Sequence, residues 1–231
     1  MKKNIDRQEF VRLLREMHNH SIDLDNFIVN YVRNKTLFEF LIAVLLSQNT
    51  NEKNAIKAYK NLKNLINNIT PDNILKTELR KISEAIKPAG MYNERAKRFY
   101  EIAKLFKDKD FTSKLHNIIK NSDVEKARRF LTSIPGVGKK TADVILLMYF
   151  NKPTFPVDTH ITRITYRLGF VDRKDYDTVR SFWMNFLRRE DYLEVHLLLI
   201  THGRKICRSR NPLCSKCLLI KYCSYGRKLG K

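Results

Sequence analysis

Between residues 37 and 46 the apolar side chains Leu37, Phe38, Leu41, Ile42, Leu45 and Leu46 recur at three- and four-residue steps. That is the period of one helical stripe, and it predicts an amphipathic helix. The same period covers 52–67, 92–107, 124–132, 140–150, 159–168, 176–188 and 191–205, and no alternating strand pattern competes with it. Breaks fall at Thr70-Pro71, Pro88-Ala89-Gly90, Pro135 to Gly138, Pro153 to Pro156 and Asn211-Pro212, where proline or glycine cannot continue a helix. Many helices joined by short links predict an all-α bundle.

Composition narrows the picture. The chain has 231 residues, 43% of them hydrophobic, enough for one large domain or two small ones. Its longest apolar runs, Phe40 to Leu46 and Val144 to Phe150, are seven residues each, far short of the roughly 20 that span a bilayer. The N-terminal MKKNIDRQEF lacks the apolar core of a secretory signal, so the expectation is an intracellular protein of the cytoplasm or nucleoid, with no membrane partner. Lys and Arg outnumber Asp and Glu by 45 to 24, a formal charge of +21. So one-sided a field attracts polyanions, nucleic acid foremost. Residues 203–231 hold nine Lys or Arg, no Asp or Glu, and all four cysteines. In a reducing compartment such a cluster points to a metal site before disulfides.

Glycine is scarce, seven in all, yet two lie two residues apart in Ile134-Pro135-Gly136-Val137-Gly138, between two helical patterns. Glycine permits positive φ and close backbone approach, and amides at the start of the next helix can hold an anion. Gly136, Val137, Gly138 and Lys139 therefore read as a DNA-phosphate contact, one that positions a duplex without reading its sequence.

The string IPGVGKKTA, followed by VDTH at Val157 to His160, resembles the helix-hairpin-helix DNA glycosylase superfamily, and its endonuclease III branch in particular. LLSQNT around Ser47, GMYN at Gly90 and the terminal cysteines occur in the family's order. The resemblance implies two all-α lobes. One is a six-helix barrel over 29–152 with the helix-hairpin-helix at about 128–150. The other is an iron-sulfur lobe of 1–28 and 153–231. It also implies double-stranded DNA carrying a damaged or mismatched base or an abasic site as partner, bound by a monomer.

Breaking an N-glycosidic bond builds positive charge on the sugar, so a carboxylate is needed near it, and strand cleavage needs an amine able to form a Schiff base. By resemblance, Lys140 supplies the amine and Asp158 the carboxylate. Lys140 would stand in the first turn of a helix beside Lys139, and Asp158 would cap the start of another. Flipping a base out of the stack leaves a gap that inserted side chains fill. Gln48 best matches the family's inserting glutamine. It follows Ser47 directly, where the family member compared has Ala between, so Asn49 shares the candidacy. Met91 stands where the family carries a wedging leucine.

Cys207, Cys214, Cys217 and Cys223 are separated by six, two and five residues. Four thiolates can hold zinc or a four-iron cluster, and the spacing by itself does not choose. The resemblance implies a [4Fe-4S] cluster that organises the loop after Cys207, with Arg208 and Arg210 facing phosphate. The activity implied is base-excision repair by a bifunctional glycosylase and AP lyase acting on oxidised pyrimidines. The alternatives are a uracil or thymine mismatch glycosylase of the same superfamily and a non-catalytic DNA-binding module.

Overall fold

The computed structural model describes residues 5–18 and 27–229, and the chain divides into two compact units, 23–152 and the N-terminal segment with 153–231. The first crossing between them falls among residues 19–26, outside the described residues, as do residues 1–4 of the expected 1–28 segment. Among the described residues every regular element is helical and no strand occurs. The all-α expectation therefore holds.

Helix α1 (Arg7–His18) belongs with the 153–231 unit. The 23–152 unit runs α2 (Ile28–Tyr31), α3 (Leu37–Leu46), α4 (Glu52–Ile66), α5 (Pro71–Lys76), α6 (Leu79–Ala85), α7 (Tyr92–Lys107), α8 (Lys109–Asn121), α9 (Val124–Leu131) and α10 (Lys139–Val144). Side chains written into the sequence open many of these helices. Thr36, Asn51, Thr70, Asp108 and Asp123 each accept a first-turn amide, which satisfies a donor that the helix itself cannot.

Helix α3 differs from the one-sided helix expected of it. All ten of its residues are buried, Glu39 included. A helix apolar on nearly every face can only be the central rod of its unit. Glu39 is tolerated there because the Tyr59 hydroxyl donates to its carboxylate at 2.6 Å, and burial in turn pushes the Tyr59 phenol above its usual range. Helix α7 packs on α3, α5, α6 and α8, which makes it the main brace of the unit.

The expected helix over 140–150 is also more particular than its pattern. Helix α10 passes into a wider π-type turn over Ile145–Tyr149, where the Phe150 amide reaches back five residues to the Ile145 carbonyl at 3.2 Å.

The second unit combines α1 with α11 (Thr159–Leu168), α12 (Tyr176–Phe186), α13 (Tyr192–Lys205) and the short α14 (Gly226–Leu229). Its core is aromatic. Trp183 is fully buried among Phe10, Phe155, Phe170, Phe182 and Phe186, all with ring centroids within 6.0 Å of it. Its indole N–H donates to Thr165 Oγ1 at 2.8 Å, so the one polar atom of the ring is satisfied. Arg15 of α1 grips Glu194 of α13 with two hydrogen bonds, 2.8 and 2.6 Å.

Candidate active site

Four residues after α9 ends, the chain turns through Pro135 to Gly138. The Val137 amide donates to the Ile134 carbonyl at 3.0 Å, and Gly136 has φ +80°, a conformation costly for any residue with a Cβ. A Cβ there would also lie 2.1 Å from Arg98 Cδ. Gly138 is the N-cap of α10 and brings no side chain to its first-turn amides. Lys139 and Lys140 form the start of that helix. Lys139 is exposed, whereas Lys140 is half-buried, and no hydrogen bond or ion pair with the described residues engages its ammonium group. Beneath the turn, Arg128 of α9 faces the fully buried Asp143 of α10 at 3.2 Å, which ties the two helices of the hairpin together.

Two loops lie in the same unit. Asn49 and Met91 both adopt positive φ, 52° and 49°, and both are exposed, Met91 by 56%. Left-handed backbone at a methionine is a strained conformation that the surroundings must hold. Gln48, by contrast, is tied down: its Nε2 donates to the Gly136 carbonyl and to Thr141 Oγ1, both at 3.0 Å. The structure thus gives the two neighbouring candidates different settings. Among the described residues Asn49 is the free tip, and Gln48 joins its loop to the hairpin.

A residue unremarked in the sequence connects the loops. Arg95 of α7, 3% exposed, donates from Nη1 to the Leu45 carbonyl and from Nη2 to the Gln48 carbonyl, and from Nε to the Gly90 carbonyl at 2.8 Å. Burial, and then the neighbouring Arg98, hold its guanidinium below the usual value. No side chain marks a backbone carbonyl as a partner, so the only sequence signal was an arginine at an apolar register of α7.

In the other unit, Asp158 caps α11: its Oδ1 accepts the Ile161 amide at 2.8 Å. No partner among the described residues takes its second oxygen. The segment leading to it is fixed from several directions. Arg180 donates to Thr154 Oγ1 at 3.0 and 2.8 Å, His196 Nδ1 lies 2.9 Å from the Pro156 carbonyl, and the Tyr176 hydroxyl accepts the Val157 amide at 3.3 Å. Phe155 stacks on Trp183. His160, two residues on, is held below its usual value by burial.

The four cysteines are free and half-buried, and they line one small cavity of about 20 Å³. They ring this space without converging on one ion-sized point. Burial raises the Cys214 thiol and pushes that of Cys217 up to about 12, and a cationic group among the sulfurs would favour the thiolate form of these two. A donor set of four thiols around a shared space fits such a group. Arg167 holds the adjoining loop, donating to the Arg208 and Ser209 carbonyls at 2.6 and 3.0 Å while lying over the Tyr225 ring. Arg163 donates to the Cys207 carbonyl at 3.0 Å. With its backbone so anchored, the loop leaves Arg208 and Arg210 exposed.

Among the described residues no helix is long and apolar enough to cross a membrane. The pattern of the HhH-GPD superfamily base excision DNA repair proteins matches residues 42–189. Endonuclease III of Sulfolobus acidocaldarius is 38% identical over 225 residues, 96% of each chain. The Escherichia coli enzyme of that name is 32% identical over 223 residues, 96% of this chain and 97% of that one. A solved endonuclease III trapped in a covalent intermediate with DNA superposes with a TM-score of 0.77 at 28% identity, covering 99% of this chain and all of that one. A thermostable thymine-DNA glycosylase shares the fold, with a TM-score of 0.74 at 24% identity. The hairpin, the cap aspartate and the cysteine set thus sit in a chain that belongs to the endonuclease III family of the HhH-GPD superfamily.

Proposed function

We propose that Lys140 is the nucleophile and Asp158 the electrostatic partner of a base-excision-repair DNA glycosylase and AP lyase. Oxidised pyrimidines are the substrate class that the family resemblance implies. The observation that carries this reading is the Lys140 side chain: half-buried behind the glycine turn and uncommitted to any partner among the described residues. Gly136, Val137, Gly138 and Lys139 hold a phosphate, while Asn49 with Gln48 and Met91 occupy the space that a flipped nucleotide vacates.

In the first step the deprotonated Lys140 amine attacks C1′ of the damaged nucleotide, and the N-glycosidic bond breaks with its electron pair leaving on the base, which takes up a proton. Positive charge grows on the sugar during this step, and the free oxygen of the Asp158 carboxylate stabilises it. Ring opening gives a protonated Schiff base between Lys140 Nζ and C1′. Loss of a proton from C2′ then expels the 3′ phosphate, breaking the C3′–O bond and cutting the strand.

Cys207, Cys214, Cys217 and Cys223 would hold a [4Fe-4S] cluster, which supplies charge to ionise the thiols and a fixed anchor for the loop bearing Arg208 and Arg210. The ring of four thiols around one cavity supports this assignment. The measurement that checks it is the visible absorbance and iron content of anaerobically purified protein. A colourless, zinc-containing sample overturns it.

The reaction is tested by borohydride trapping on duplexes containing thymine glycol, uracil opposite guanine, thymine opposite guanine, or an abasic site. A covalent adduct with the parent protein, lost in Lys140→Gln, is the expected result. Intact duplex binding with no adduct on any substrate rejects the lyase reading, and an adduct that survives Lys140→Gln rejects Lys140 as the nucleophile.

A further inference from the structure

The three carbonyls that Arg95 satisfies belong to two different loops. Leu45 and Gln48 flank the turn that carries Gln48 and Asn49, and Gly90 precedes Met91. Leu45 also lies in the last turn of α3, where carbonyls lack partners within the helix and the dipole favours a cation. One guanidinium therefore ends α3 and clasps the neighbouring loop to it. No carboxylate of the described residues pairs with Arg95, so its donors are committed to backbone. One turn along α7, Arg98 lies under Gly136 of the hairpin, and Gln48 itself donates to the Gly136 carbonyl. The two strained tips, Asn49 and Met91, are thus held at a fixed separation by one buried side chain, on the helix that also supports the hairpin turn.

We infer that Arg95 is a positioning residue that locks the Gln48-Asn49 and Met91 loops into one rigid wedge, so that both enter the duplex together when a nucleotide is flipped. The inference rests on the proposed roles of those loops. Arg95 touches no nucleotide. It acts by fixing the carbonyls that lead into two exposed tips of left-handed backbone, which places the cost of ordering them in the folded protein instead of at the moment of binding.

The test uses full-length protein and a duplex with 2-aminopurine beside a tetrahydrofuran abasic analogue, whose fluorescence rises as the neighbouring base unstacks. Arg95→Lys keeps the charge and can satisfy one carbonyl, and Arg95→Met keeps the stem and none. Gln48→Ala with Met91→Ala reports on the loops themselves. The expected result has three parts. Arg95→Lys retains the parent's affinity for undamaged duplex, loses most of the fluorescence rise, and slows single-turnover base release on the order of 10- to 100-fold, the scale of a misplaced reacting geometry.

A fluorescence rise and rate equal to the parent's in Arg95→Lys overturn the inference, provided the double loop variant abolishes the rise. A double loop variant that behaves like the parent removes the reading of the loops instead. Should both Arg95 variants fail to fold, hydrogen exchange in the parent decides. Backbone amides of 48–50 and 91–92 opening together support the lock, and independent opening overturns it.

Discussion

The two units reach a similar end by different means. In 23–152 the candidate residues are set by backbone: a glycine turn at φ +80° starts the helix bearing Lys140, and two loop tips at positive φ stand exposed, their loops joined by Arg95 through backbone carbonyls. In the 153–231 unit they are set by side chains. Asp158 is aimed by its own capping bond and by Arg180, His196, Tyr176 and Phe155 acting on the segment before it. The cores differ in the same sense, one built on a mostly aliphatic helix buried on every face and the other on stacked aromatic rings. Lys140, the proposed nucleophile, stands at a helix start, which presents its side chain without enclosing it. Asp158, the proposed carboxylate, is a helix cap whose preceding segment is held by neighbours.

This contrast is sharpest for Lys140 and Asp158, the two side chains proposed to react. Asp158→Asn should slow base release by roughly 100- to 1000-fold, the scale of removing a preorganised electrostatic group. Asparagine caps a helix about as well as aspartate, so the thermal midpoint should hold. A large drop in stability would mean that Asp158 serves the fold and not the charge. The expected loss in Lys140→Gln is complete for trapping and likewise leaves the fold intact.

The cores can be compared by truncation. Trp183→Ala removes the centre of the aromatic cluster and should cost about 3–5 kcal/mol, measured by denaturant unfolding. If the units unfold separately, only one transition should move. Gly136→Ala probes the backbone side of the comparison, where a left-handed alanine costs roughly 1–2 kcal/mol and Arg98 must also shift. Its thermal midpoint should fall and its affinity for undamaged duplex should weaken. Unchanged affinity would show that the turn geometry is dispensable for binding.

The smallest effect is a pH dependence in the 153–231 unit. Asp175 caps α12, and the Thr178 amide, with the Thr178 hydroxyl and Arg173, holds its carboxyl down to about 2. A carboxyl depressed on folding contributes stability that is present above its unfolded value near 4 and is lost as pH falls through its folded value. The gap between the thermal midpoints of the parent and Asp175→Asn should therefore be constant above about pH 5 and close towards pH 2. A gap that persists at pH 2 would assign the contribution to packing instead of charge.

Much of the fold was legible. The helices at 92–107 and 159–168 have the extents that their periodicity predicts, because each presents one clean apolar stripe and a strong breaker or cap. Helix α8 was not predicted. Only Leu115 and Ile119 of it are buried, so its stripe is too thin to stand out. Helix α1 lies close to the N-terminus and is stabilised by packing into the aromatic core of a unit whose remaining residues begin at 153. The hairpin glycines and the cysteine spacing were visible because they are rare residues under local demand.

By itself the sequence determined the helical class, the glycine turn with Lys140 behind it, the cap at Asp158 and the four thiols, since each depends on residues a few positions apart. Tertiary structure alone decided which of Gln48 and Asn49 is tied and which is free, that the thiols share one cavity, and that Arg95 joins two loops. Those facts rest on neighbours in space, among them pairs 47 to 93 residues apart in the chain, and several of the partners are backbone carbonyls. A carbonyl is the same in every residue, so no sequence pattern marks the one that a buried guanidinium will find.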